Sequence, residues 1–353
     1  MKLFLCQACG QALMFENTDC ERCGRKLGYL PEKRNLSAVR PDGPNWIALA
    51  TPDRCYRFCA NWEWHGCNWM VPTDSSEPFC AACHHNGIIP DISDPVNHLR
   101  WQKIEASKRR LVYSLINLNL PLPGAASGDV EPLVFNFLAS PSDPAAGPKV
   151  MTGHESGVIT ISLAEADDTV RETLRISMGE SYRTLLGHFR HETGHYYWDK
   201  LVRDGGNLET CRAMFGDDRE DYDAALQRHY AEGVPSQWWD SFVSAYATTH
   251  PWEDFAETFA HYLHIVDTLE TANAFGIRIK PKITDDTTLV AKVDFDAYRT
   301  QGIATLIDAW LPLTFAVNSI NRSMGQPDLY PFVLSPAVVG KLGYIDDLVH
   351  RRL

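Results

Sequence analysis

The chain reads as an α+β protein, with small cysteine-rich metal modules at the front and a mostly helical domain with a small sheet behind. Three observations predict this. Nine of the ten cysteines precede residue 84. The longer apolar stretches beyond residue 96 repeat at three- and four-residue spacing, as helices do. Only two short runs there, Leu133 to Leu138 and Val158 to Leu163, have β-strand composition. Expected boundaries are 1–30 for a first zinc ribbon, 31–95 for a second cysteine-rich module and 96–353 for the helical domain.

Cys6-x-x-Cys9 and Cys20-x-x-Cys23 are two knuckles around a short loop, a spacing that presents four thiolates tetrahedrally to one Zn²⁺. Cys59, Cys67, Cys80 and Cys83 form a second set, in which Cys80-x-x-Cys83 is again a knuckle. Cys55, His65 and His84 compete for that set. A disulfide framework is disfavoured, because paired CxxC turns suit metal and nothing marks the chain as secreted. Cys211 reads as an ordinary free thiol. Residues 24–58, with Pro31, Pro41, Pro44 and Pro52, read as a loop-rich connector. Trp46, Trp62, Trp64 and Trp69 are expected to pack the core of a small domain, with a peptide-binding face as the alternative.

Asn97 to Leu120 reads as a long helix with Leu99, Ile104, Leu111, Leu115 and Leu118. Pro121 to Gly128 breaks it, and Ser140 to Pro148 is a turn-rich loop. Ser181 to Arg203 is helical, with Ser181 as a start signal and Gly205-Gly206 as a stop. Within it stands His191-Glu192-Thr193-Gly194-His195. Residues four apart share a helix face. Two imidazoles so placed can hold one Zn²⁺, and Glu192 beside the first can reach a water on that metal.

Zinc of this type needs a third protein ligand and an open position. A later helix, with Thr249 as N-cap and Pro251 in its first turn, carries Phe255, Phe259, Leu263 and Val266 as a buried stripe. Glu253 and Glu257 lie one turn apart on another face. Glu253 is the candidate ligand. Glu257 is the candidate acceptor of a hydrogen bond from a ligand histidine, which would fix its tautomer. Exchange of these two roles is the alternative. Phe215 to Glu232 reads as a joining helix with solvated acids, and 301–324 and 335–350 read as closing helices.

Charge divides unevenly. Residues 1–100 hold 10 Lys and Arg against 11 Asp and Glu, so nearly all of the net −12 belongs to the remainder. The cysteine region lacks the basic surplus that nucleic-acid binding needs. A structural or protein-docking role is expected for it instead. No apolar run reads as the roughly 20 residues of a membrane span, and the start is too quickly polar for a signal peptide. A reducing, cytoplasmic setting is expected.

His191, Glu192, His195 and the Glu253/Glu257 helix resemble the gluzincin class of zinc metallopeptidases. Tyr246 to Glu257 is similar to the end of the anthrax lethal factor catalytic domain, where a tyrosine seven residues before the glutamate ligand stabilises the oxyanion; Tyr246 has that spacing. Over nearly the whole chain, the cysteine clusters, the block from Met178-Gly179-Glu180 to Asp199 and the Glu253 block resemble bacterial zinc-binding metallopeptidases with an N-terminal zinc ribbon. The resemblance implies a zincin-like domain and an oxyanion role for Tyr246, with Tyr182, Tyr262 and His250 as substitutes. It also implies that the edge strand before the active-site helix, read as Val158 to Leu163, pairs with an extended substrate.

The function expected is a zinc-dependent peptidase, acting by Glu192-assisted attack of a water on one catalytic Zn²⁺, with two further structural Zn²⁺. Its partners would be a peptide or protein substrate and possible protein contacts through the cysteine region, with no membrane and with nucleic acid disfavoured. The alternative is a zinc-ribbon protein that binds other proteins, or nucleic acid, on a catalytically silent zincin scaffold.

Overall fold

A computed structural model describes residues 2–140, 150–177, 184–283, 287–300 and 302–353. The chain forms two compact units, Met1–Val170 and Arg171–Leu353. The expected loop at Ser140 to Pro148 lies almost wholly outside the described residues, as do Met178-Gly179-Glu180, Ser181 and Tyr182.

In the first unit, β1 (Phe4–Leu5) and β2 (Ala12–Leu13) form a hairpin that holds the first knuckle. Then comes a five-stranded antiparallel meander: β3 (Leu27–Leu30), β4 (Asn35–Asp42), β5 (Asn45–Ala48), β6 (Cys55–Phe58) and β7 (Met70–Pro72), bonded in that order. This corrects the loop-rich connector expected over 24–58. The prolines there mark turns and strand ends instead of interrupting the sheet. Pro31 opens a 3₁₀ turn and Pro41 lies at the end of β4, paired with Trp46. Gly43 takes the φ of +59° needed to return the chain into β5. Leu30, Val39, Ala48, Tyr56 and Met70 make the core, with Trp46 and Phe58 against it. Residue 30 ends β3, which pairs with β4, so the expected boundary at 30/31 falls between two paired strands of one sheet.

Of the tryptophans, Trp69 is fully buried against Tyr29, ring centres 4.6 Å apart, and Trp46 lies edge-on to Phe58 at 5.4 Å. Trp64 is exposed.

Helix α1 (Pro95–Asn117) starts on Asp94, whose side chain accepts from the Val96 and Asn97 N–H groups, with Pro95 in the first turn. Trp101, Ile104, Leu111 and Leu115 are buried, while Leu99 is exposed and leaves the expected stripe. The remaining strands are β8 (Val134–Leu138), β9 (Gly153–Glu155) and β10 (Val158–Ser162), in the order β8-β10-β9. Strand β10 is therefore central, parallel to β8 and antiparallel to β9. The expectation that Val158 to Leu163 is a free edge is corrected: residues 158–160 are already paired on both sides, which leaves no backbone donors there for an added peptide.

Helix α2 (Asp168–Ser177) crosses into the second unit. There α3 (Leu185–Tyr197) runs on through a π-helical turn at Trp198–Arg203. Next come α4 (Leu208–Phe215) and α5 (Tyr222–Glu232). The single helix expected over 215–232 is thus corrected to a helix end, a turn and a second helix, because Gly216 leaves helical conformation at φ +107° and Asp221 caps anew. Helix α6 (Pro251–Ala274) is central. A two-stranded ribbon, β11 (Arg278–Ile279) with β12 (Ala291–Lys292), precedes α7 (Ile303–Ser323) and α8 (Pro336–Val349).

Among the described residues one helix, α7, is long and apolar enough to cross a membrane by length and composition. That corrects the reading that no such run exists. Asp308, Pro312 and Asn318 interrupt it as a sequence pattern. Leu306, Trp310 and Leu313 bury one side of it.

His261 of α6 is buried, its Nδ1 2.6 Å from the Tyr330 hydroxyl. Burial lowers its pKa from 6.5 to about 4, and Glu257 opposes that shift only in part. The folded pKa is depressed, so this contribution to stability is complete above pH 6.5 and is lost as pH falls towards 4. At pH 5 the loss is about 2 kcal/mol. Urea unfolding near pH 7.5 and near pH 5 should show a stability drop smaller by that amount in His261→Gln. An equal drop in both proteins would contradict this.

Candidate metal centre

Helices α3 and α6 pack closely because Gly194 faces Ala256; a Cβ at Gly194 would lie 2.8 Å from the Ala256 Cα. Thr184 caps α3, accepting from the Gly187 N–H. His250, not Thr249, caps α6, its Nδ1 accepting from the Trp252 N–H at 3.0 Å. Pro251 occupies the first turn as expected.

Across this contact three donor atoms converge. The Nε2 atoms of His191 and His195 are 3.1 Å apart. Glu253 Oε2 lies 3.0 Å from the first and 3.4 Å from the second. Bonds of 2.0–2.1 Å in a tetrahedron set ligand atoms about 3.3 Å apart. The triangle therefore matches one zinc ion. Glu253 is 2 % exposed and its Oε2 makes no hydrogen bond, an unfavourable state for a buried anion unless a cation occupies the centre. Burial would raise the Glu253 pKa; His195 and His191 outweigh it and hold the carboxyl well below its usual range.

Glu257 Oε1 lies 2.6 Å from His191 Nδ1, and its Oε2 accepts from Ser244 Oγ at 2.6 Å. A carboxylate can only accept here, so Nδ1 carries the hydrogen and the Nε2 lone pair faces the centre. The His195 ring packs on Trp252, centres 3.7 Å apart. Glu192, between the two histidines on α3, is 9 % exposed and has no hydrogen-bond partner among the described residues.

Tyr246 begins a 3₁₀ turn, its ring centre 6.0 Å from that of His191. Burial first, then the negative charge of Glu253, raises its pKa, so the phenol stays a hydrogen-bond donor. Among the substitutes, Tyr262 donates to Asp346 at 2.8 Å and His250 Nε2 lies 3.0 Å from the Glu220 carbonyl, so both are engaged elsewhere. Two further residues, which no sequence motif marks, complete the centre. Tyr222 donates to Glu253 Oε1 at 2.7 Å, and Ser244 holds Glu257. Neither belongs to a local motif; Tyr222 opens α5, 31 positions from its partner.

The cysteines also assemble. All ten are free thiols. Cys6 and Cys23 sulfurs are 3.7 Å apart, Cys9 and Cys20 3.5 Å, and Cys67 and Cys80 3.6 Å. Zn–S bonds of 2.3 Å place sulfurs about 3.8 Å apart. Cys6, Cys9, Cys20 and Cys23 form one group of candidate metal ligands, and Cys59, Cys67, Cys80 and Cys83 a second. The competitors lie outside it: Cys55 faces Asp42 at 3.6 Å, His65 is exposed, and His84 Nδ1 lies 3.3 Å from the Cys80 carbonyl. Buried Cys211 has its thiol pKa pushed up to about 12 by burial.

Two four-cysteine groups and a His, His, Glu group on packed helices define a zinc-binding protein of α+β fold. The chain belongs to the family described as "Putative zinc-binding metallo-peptidase", whose model matches residues 97–348. A zinc-ribbon domain model matches residues 3–94. Uncharacterized proteins of Mycobacterium bovis and of two Mycobacterium tuberculosis strains are each 42% identical over 350 residues, covering 99% of this chain and 95% of theirs. No solved structure matches the chain significantly.

Proposed function

We propose that the chain is a zinc-dependent peptidase of gluzincin type, with His191, His195 and Glu253 holding the catalytic ion and the two four-cysteine groups holding structural ions. The observation that carries this reading is the donor triangle of His191, His195 and Glu253 with Glu192, which has no hydrogen-bond partner among the described residues, beside it. Zinc bound there supplies a Lewis acid that brings the pKa of water to about 7. Glu192 takes the proton and passes it to the leaving amine. Tyr246 donates to the oxygen on which charge develops; its spacing to Glu253 supports the likeness to anthrax lethal factor. Glu257 fixes the His191 tautomer, and Tyr222 occupies the outer oxygen of Glu253, so that one oxygen faces the ion. Cysteines that serve as thiolate ligands instead of forming disulfides fit a reducing compartment. The substrate class is a peptide or protein.

Elemental analysis tests the site. Three zinc ions per chain are expected, falling to two in His191→Ala, with cleavage of a mixed peptide library lost in parallel. A ratio of two that His191→Ala leaves unchanged would instead make the helical region a silent scaffold.

The two tyrosines separate by kinetics. Tyr246→Phe should lower kcat by about 10²-fold with KM little changed, as loss of one oxyanion donor does. Tyr222→Phe should weaken zinc retention in chelator competition more than it lowers kcat of the saturated enzyme. The reverse pattern would exchange their roles.

A further inference from the structure

The second cysteine group is buried: Cys59, Cys67, Cys80 and Cys83 are each 3 % exposed or less. Helix α1 brings three buried charged residues to it, Glu105, Lys108 and Arg109. Two of these satisfy each other. Lys108 Nζ lies 2.9 Å from Glu105 Oε2 and also bonds the Asn86 side chain, whose amide donates to Glu105 Oε1 at 2.6 Å. The Cys83 sulfur lies 3.7 Å from Glu105 Oε2, the same oxygen that Lys108 neutralises.

Arg109 is different. It is 7 % exposed and donates to the Gly66 carbonyl, and among the described residues no carboxylate lies within ion-pair distance of it. A guanidinium does not shed its proton in a protein, and a buried charge without a counter-ion is strongly unfavourable. Burial works against its charge, while Cys67, Glu105, Cys83 and Cys80 favour it. With Glu105 committed to Lys108, the cysteine sulfurs are the anions left to it. Four thiolates on one Zn²⁺ carry a formal charge of −2, which a buried cation offsets.

We propose that Arg109 is the counter-ion of a tetrathiolate zinc at Cys59, Cys67, Cys80 and Cys83, so that the metal of the ribbon region is held by the first helix of the peptidase-family region. Among the described residues the first cysteine group has no such partner: Cys23 is exposed, and Arg22, near Cys9, donates to the Cys9 backbone carbonyl at the surface. Metal loss from the second group leaves Arg109 unpaired and so loosens α1. Trp101 reports this, since it is fully buried and its ring sits where a Gly66 Cβ would be, 2.3 Å from that position.

The test uses the full chain with Cys9→Ser and Cys20→Ser, so that thiolate-to-Co²⁺ charge transfer reports the second group. The histidine–glutamate centre contributes no sulfur. Affinity for Co²⁺ and Zn²⁺ is measured against a chelator. Arg109→Gln is expected to weaken binding about 10–100-fold, as loss of an outer partner does. It should also change the near-ultraviolet circular dichroism of buried tryptophan. Arg109→Lys should stay within about threefold of the parent, as should Arg110→Gln, which breaks only the exposed pair with Glu16. Parent-like affinity in Arg109→Gln overturns the proposal, and so does an equal loss in Arg109→Lys. If Arg109→Gln does not fold, Arg109→Lys decides: parent-like affinity supports the counter-ion role, and a loss of about tenfold or more overturns it.

Discussion

Glu192→Gln should reduce kcat by about 10³-fold, roughly 4 kcal/mol of transition-state stabilisation, while zinc content stays at the wild-type value. Both halves follow from the geometry. The three converging donor atoms belong to His191, His195 and Glu253, so none is lost. The Glu192 side chain has no hydrogen bond to break among the described residues and is replaced by an amide of the same shape. What disappears is the ability to accept a proton beside the metal. Stability should therefore move by less than about 0.5 kcal/mol, which separates this variant from one that fails by misfolding. The measurement is kcat on a cleaved peptide, with zinc per chain and the unfolding midpoint from the same preparation. Peptidase activity near wild type would remove Glu192 from the chemistry and, with it, the proposed mechanism.

Such a prediction could be framed from the sequence because the centre is written in local periodicity. His191 and His195 are one helical turn apart, and Glu253 and Glu257 are one turn apart, so a helix reading places each pair before any packing is known. The CxxC knuckles are legible for the same reason: two thiols of each set lie within one turn. Long-range partners were not. Tyr222 meets Glu253 only because α5 begins where it does, and that start depends on a turn at Gly216 to Asp221 hidden inside a charged stretch.

The meander over Leu27 to Pro72 was missed for a related reason. Strand pairing is a property of two segments, and most of these strands are four residues or fewer with prolines in or near them, so each alone reads as loop. The order β8-β10-β9 has the same origin. Val158 to Ser162 is recognisable as a strand, but whether it is central depends on β9, whose sequence Gly153-His154-Glu155 has no strand signal. One helix start slipped by a residue where a neighbouring polar side chain took the cap, His250 for Thr249.

The two glutamates of α6 should part company when each is changed to glutamine. Glu253→Gln should lose the catalytic ion outright, leaving two zinc ions per chain, because it removes the anion that faces both Nε2 atoms at 3.0 and 3.4 Å. A neutral amide oxygen is a much poorer ligand for zinc, whose usual donors are thiolate, imidazole and carboxylate. Glu257→Gln should keep three ions at saturating zinc but bind the catalytic one about 10–100-fold more weakly, as loss of a hydrogen-bonded partner behind a ligand does. Its carboxylate sits 2.6 Å from Nδ1, on the far side of the His191 ring from the other donors. An amide there can still accept from Nδ1–H, but it no longer favours the tautomer or raises the basicity of Nε2 as an anion does. Ser244 would retain its bond to the amide, so the fold around the site should hold. Zinc per chain and chelator competition on both variants decide the assignment. If Glu257→Gln empties the site and Glu253→Gln does not, the third ligand is Glu257, and the convergence of Glu253 on the two histidines has another cause.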